Sequence, residues 1–150
     1  MSSLLQSVSD EIVALHDFFT DWFSGRCAKD DALFKRRLID RMDEDLVLIQ
    51  PGGESIGKTV FCNAVWNGYG KSPEFRAIIR NVELRPAELP QHVLVTYEEW
   101  QRGAKNSKPE DNARVASVLF ALDDDQPGRW IHIHETWLPD RRVTPEAMDF

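Results

Sequence analysis

Two stretches carry residue types arranged as chemistry would need them. The first is WIHIHETWL, residues 130–138, in which His132 and His134 alternate. In an extended strand, residues two apart share a face, so both imidazoles project one way and Glu135 the other. An imidazole titrates near neutrality, which makes either histidine a candidate acid or base. Two on one face also begin a metal site, but a third ligand is required. His92, Glu98 and Glu99 have no fixed register against them, so no metal or other cofactor is expected. The second stretch is PGGESIGKTVF, residues 51–61, which spells G-x-x-x-x-G-K-[ST] from Gly52 to Thr59. Such a loop aims backbone N–H groups at phosphates, with the lysine as a point charge and the threonine hydroxyl on Mg²⁺. LVLI (46–49) precedes it, and VLFALDD (118–124) has the form of an apolar strand ending in a metal-holding Asp.

The elements that must position these residues come in an α+β order. Leu5, Val8, Ile12, Leu15, Phe19 and Trp22 recur at steps of three and four, which predicts a first helix. Ser7 and Asp10 fit a capping box at its start, and Gly25 a left-handed cap at its end. A second helix is predicted from Asp31 to Asp40, burying Phe34 and Leu38, and a third from Lys58, carrying Val60, Phe61, Ala64 and Val65. Strands are predicted near 46–49, 75–86, 92–102, 113–122 and 129–138. Their separators, PAELPQ, GAKNSKPEDN and DDDQPG, are too short for crossover helices, so adjacent strands are expected to be antiparallel. That order argues against the phosphate loop, which needs a parallel sheet with helices between its strands. The glycines then read as a turn opening the third helix. Nucleotide binding through Gly52–Thr59 stays only as an alternative.

Bulk properties narrow the partners. A chain of 150 residues suits one domain, 1–150. The net charge of −7 argues against nucleic acid and anionic membrane, which call for clustered Lys and Arg. No basic N-terminal leader pattern and no membrane-length apolar run occur, and the two cysteines, Cys27 and Cys62, form no disulfide framework. A cytoplasmic protein is expected. The charge runs at 35–37, 43–45, 98–99 and 123–125 read as solvated faces or loop tips, and GAKNSKPEDN as a polar hairpin loop.

The order of helices, short strand–turn–strand, helix and long strands resembles the nuclear transport factor 2-like superfamily. RMDEDLVLIQPGGESIGKTVF (41–61) and GRWIHIHETWLP (128–139) carry the likeness, which spans nearly the whole chain and looks nearest the bacterial polyketide cyclase and ketosteroid isomerase branch. The resemblance implies a cystatin-like cone, a curved antiparallel sheet wrapped around N-terminal helices, and a homodimer formed through the sheet. It also implies positions for the isomerase chemistry, which needs a carboxylate base with a Tyr and a protonated Asp. The base position matches Gln50, before Pro51. The Tyr position falls near Phe18 or Phe19, and the Asp within ARVASVLF (113–120), which has no acid. All three roles look vacant, so isomerase activity is not expected.

Gln50, Trp66, Tyr97, His132 and His134 are the candidate lining of a partly apolar small-molecule pocket, with a histidine as acid or base if the pocket is catalytic. ARVASVLFAL (113–122) is apolar on both faces and therefore needs cover on both. One cover would be the helices, the other a second copy of the chain. The alternative to a ligand pocket is an association module that oligomerises without catalysis.

Overall fold

A computed structural model describes residues 3–150; Met1 and Ser2, where the N-terminal reading starts, lie outside the described residues. Helix α1 spans Ser3–Ser24 and buries Val8, Ile12, Leu15, Phe19 and Trp22 of the predicted apolar stripe, with Phe18 beside them and Leu5 only half-buried. The helix starts one turn before the predicted capping box, so Ser7 sits inside it and its hydroxyl donates back to Ser3 O at 2.9 Å. Gly25, at φ 77°, closes the helix, with Arg26 N–H bonding Asp21 O at 2.9 Å. Helix α2, Asp31–Arg37, is capped by Asp30, which accepts from Leu33 N–H. It is shorter than predicted because a 3-10 turn, Ile39–Arg41, takes over before the sheet.

Strand β1 (Met42–Ile49) and β2 (Ser55–Gly57) form a small hairpin, and α3 (Lys58–Asn67) follows. Strands β3 (Arg76–Leu84), β4 (His92–Arg102), β5 (Asn112–Asp123) and β6 (Gln126–Trp137) then run as an antiparallel meander. The sheet order is β2-β1-β6-β5-β4-β3, a curved, unclosed α+β cone. One neighbouring pair departs from the antiparallel expectation. β1 lies parallel to β6, with Val47 opposite His132 and Ile49 opposite His134. A parallel pair needs a long connection, and here α3 and the other three long strands supply it.

Register decides which side chains face the helices. Glu99 pairs with Arg114, Tyr97 with Ala116, Ala116 with Glu135 and Val118 with Ile133, so these share the inner face under α1. The outer face carries Trp100, Val115, Leu119, His132 and His134. Part of it is covered by the chain itself, a cover the sequence reading assigned to a second copy. Leu138, Val143, Ala147, Met148 and Phe150 pack over Trp100 and Ala113. Arg142 clamps both oxygens of Glu98 at 3.1 Å. Glu98 and Glu99, expected as a solvated pair, are therefore both buried, one on each side of the sheet. Among the described residues no helix is long and apolar enough to cross a membrane.

Candidate functional site

A cavity of about 240 Å³ lies between α1, α3 and the inner sheet face. Its walls are mostly apolar: Leu15, Phe19 and Phe23 from α1, Leu48 and Ile56 from the hairpin, Phe61 from α3, Phe75, Trp130 and Ile133. Its polar lining is concentrated in His16, Gln50, Tyr97, Glu99, Gln101, Arg114 and Glu135, with Asn106 from the loop after β4.

His16, 3% exposed, sits on the buried stripe of α1. Its Nδ1 lies 2.7 Å from Ile12 O and its Nε2 3.3 Å from Glu99 Oε1. A carbonyl and a carboxylate oxygen both accept, so beside ionised Glu99 the ring is favoured in its imidazolium form, with a hydrogen on each nitrogen. Burial works against that charge most strongly, but Glu99, helped by the Ile12 carbonyl and Glu135, outweighs it and raises the pKa above its ordinary 6.5. The edges of Phe19 and Tyr97 close on the ring at 5.4 and 5.7 Å. Burial likewise pushes Glu99 up, yet the His16 imidazolium, with Arg114 and the Gln101 amide, holds it at about 2. Glu99 therefore stays ionised at neutral pH.

Arg114 crosses from β5 toward both carboxylates. Its Nη2 donates to Asn112 Oδ1 at 2.9 Å and to Gln101 Oε1 at 3.3 Å, while Nη1 reaches Glu135 Oε1 only at 3.4 Å. Trp137 flanks the guanidinium at 4.9 Å. Among the described residues, Arg114 Nε is the one buried side-chain polar atom without a hydrogen-bond partner. Glu135 behaves opposite to Glu99. Burial and the Glu99 charge raise it to about 7, against the weaker pull of Arg114 and His16. Two carboxyls in one apolar site cannot both ionise freely, and the imidazolium decides which one does. Tyr97 keeps its phenolic proton, since burial and the two carboxylates raise its pKa well above the ordinary value.

The structure distributes the sequence candidates unevenly. Gln50 and Tyr97 line the cavity. Trp66 packs among the helices instead, 5.3 Å from Trp22 and 5.1 Å from Phe34, with Lys29 over its ring at 4.9 Å. His132 and His134 stand on the outer face, rings 6.5 Å apart, while their neighbours Ile133 and Glu135 face the cavity. Among the described residues no group of three His, Cys, Asp or Glu could hold a metal ion. The glycine stretch forms no phosphate cradle. Gly53, at φ 92°, turns the β1–β2 hairpin, with its N–H on Gln50 O at 2.8 Å. A strand thus intervenes where a phosphate loop would enter its helix directly, and the Lys58 ammonium is taken by Glu44 at 2.7 Å. Asp123 belongs to a hairpin whose tip, Asp124 and Asp125, has positive φ.

Four residues of the cluster were not read as a site. His16 was detectable as a polar residue on an apolar helical stripe, which is unusual unless it is paired. Glu99 shares strand parity with Tyr97 but was read with Glu98 as a charge run. Arg114 opens an apolar strand, and Glu135 was placed opposite the histidines without being followed inward.

No family model matches the chain, and no curated protein matches it. Solved structures do. A nuclear transport factor 2-like protein of unknown function from Pseudomonas aeruginosa is 22% identical over 89% of this chain and 99% of its own, with a TM-score of 0.76. A protein with a cystatin-like fold from Caulobacter vibrioides is 15% identical over 94% of each chain, TM-score 0.65. A presumed dehydratase of the same fold group from Streptomyces avermitilis is 11% identical over 90% of this chain and 96% of its own, TM-score 0.65. Element order, sheet order and these superpositions agree: the chain has the nuclear transport factor 2-like, cystatin-like fold.

Proposed function

We propose that the cavity binds a compact, mostly apolar small molecule and that Glu135 exchanges a proton with it. The observation that carries this is the placement of Glu135: a buried carboxyl on the wall of an apolar cavity, held at about 7 by burial and by Glu99. At neutral pH both of its forms are populated, the condition under which a group gives and takes a proton most effectively. The His16 imidazolium and Arg114 supply fixed positive charge for an oxyanion that develops nearby, and Tyr97 supplies an O–H donor. The apolar part of the wall strengthens each of these interactions. A cavity of about 240 Å³ is below the usual range for drug-sized ligands, so a single-ring compound is the size it takes. Proton transfer is thereby assigned to Glu135 and away from Gln50, His132 and His134.

The test needs no knowledge of the natural substrate. The protein is incubated in D₂O with small cyclic ketones, and deuterium uptake at the carbon next to the carbonyl is followed by NMR. Exchange is expected above the buffer rate, rising with pH through about 7 as Glu135 ionises. Exchange at the buffer rate for every ketone, with no ketone-induced stabilisation, would sink the proposal.

A second reading, an association module formed as a homodimer through the outer face, rests on the strip of Val47, Leu94, Leu119 and His132. These are half-buried or exposed and lie beyond the C-terminal cover. Light scattering is expected to give twice the chain mass, and Leu119→Glu to halve it without unfolding the protein. A wild-type monomer at high protein concentration would refute the dimer.

A further inference from the structure

Arg114 is less well served than its burial requires. A guanidinium offers five N–H donors. At 9% exposure, its two neutral partners, Asn112 and Gln101, take one terminal nitrogen, its single carboxylate contact is a long 3.4 Å, and its Nε has no partner. A buried donor left unmade costs its full desolvation penalty, so the side chain is not finished by the protein alone. The same residue lines both the main cavity and a smaller one of about 170 Å³ beside it, the two sharing Gln101, Asn106, Phe23 and Phe75.

Charge accounting points the same way. Glu135 on β6 is faced by His16 from α1, by Tyr97 and Glu99 from β4, and by Arg114 from β5. Tyr97 is neutral. With Glu135 ionised, two cations and two anions cancel. With Glu135 protonated, one positive charge is left over in a buried site.

We propose that Arg114 marks a carboxylate subsite, so that the ligand of the cavity is a compact apolar monocarboxylic acid, bound as its anion together with one proton on Glu135. The inference rests on the cavity being a ligand site and names the ligand's class. The carboxylate approaches the Arg114 guanidinium at the cavity wall and restores charge balance, and the apolar body fills the space among Phe19, Leu48 and Phe61. Two carboxylates so close would repel, so the incoming anion holds the proton on Glu135. Glu135 then begins any reaction on such a ligand as the acid.

The test is calorimetric titration of the full chain with benzoate, with benzamide as its neutral isostere and with cyclohexanone, from pH 6 to 8.5. Benzoate is expected to bind at least about tenfold more tightly than benzamide at pH 6, and to weaken at least about tenfold by pH 8.5, because the proton it needs is lost. Proton uptake should appear as a dependence of the heat on buffer ionisation enthalpy. Glu135→Gln, which presents no carboxylate to repel the anion at any pH, should hold benzoate affinity within about threefold across the range. Arg114→Met should abolish benzoate binding while its near-UV circular dichroism stays that of the wild type, which shows a folded protein. Benzamide binding as tightly as benzoate, or a pH-independent benzoate affinity in the wild type, overturns the inference. Cyclohexanone binding alone overturns it and leaves the pocket standing; absence of all binding overturns both.

Discussion

Glu135→Gln is expected to slow ketone exchange in the cavity by about 10²–10⁴-fold, the usual contribution of a positioned acid–base group, while making the protein more tolerant of alkaline pH. The two effects have one origin. Glu135 titrates at about 7 in the folded protein against an ordinary 4.5. The folded state therefore binds this proton more tightly than the unfolded state does. The resulting stability is complete below pH 4.5 and is lost as pH rises through about 7. The gap corresponds to about 3 kcal/mol, of which about 2.5 kcal/mol, or a Tm fall of about 5–10 °C for a chain of this size, is lost between pH 5 and 8. His16, also raised, adds a loss in the same direction as it gives up its proton. Glutamine has the shape of a protonated carboxyl and no proton to lose, so the variant should keep most of the stability that the wild type sheds. Thermal unfolding at pH 5, 7 and 8 reads the second effect, and deuterium NMR the first. A variant that is slow but unfolds with the wild-type pH slope would detach the catalytic role from the buried carboxyl.

The fold was far more legible in the sequence than the site. Helix α1, α3 and the four long strands follow from periodicity, because Val8, Ile12, Leu15 and Trp22 repeat at helical spacing and the strands are bounded by Pro, Gly and Asp turns. The parallel β1–β6 pairing was not legible: nothing local to either strand records that the chain returns to its first strand after the meander. The same holds for the C-terminal cover, since Val143, Ala147, Met148 and Phe150 show no strong pattern and are placed only by the groove beside Trp100. At the site, strand parity correctly separated Glu135 from His132 and His134, but parity alone does not say which face meets the helices. That depends on the sheet's curvature and on α1, and with it the histidines go outward and the acids inward. His16, Glu99, Arg114 and Glu135 come from four elements and meet only when the sheet closes over α1, so no spacing in the sequence encodes them.

Glu99→Gln should separate the structural pair from the working carboxyl. Glu99 is held at about 2 against an ordinary 4.5, so its contribution to stability is present above pH 4.5 and lost as pH falls toward 2. The amide cannot pair with the imidazolium, and breaking a buried ion pair from one side typically costs about 3–5 kcal/mol. Relief of the repulsion on Glu135 returns part of this, so a net loss of about 3 kcal/mol is expected at pH 7, shrinking as pH falls toward 2, where the wild type loses the same pair. His16 should then become neutral, keeping its Nδ1–H on Ile12 O. Removing the Glu99 charge also removes the second cause of the raised Glu135 pKa, after burial. The pH at which ketone exchange reaches half its maximum should therefore move downward from about 7, even though Glu99 itself never exchanges a proton with the ligand. Chemical denaturation gives the first effect and the exchange profile the second. A destabilised variant whose exchange profile stays in place would mean that burial alone sets Glu135. The His16–Glu99 pair would then be a fastening between α1 and β4, with no part in the chemistry beside it.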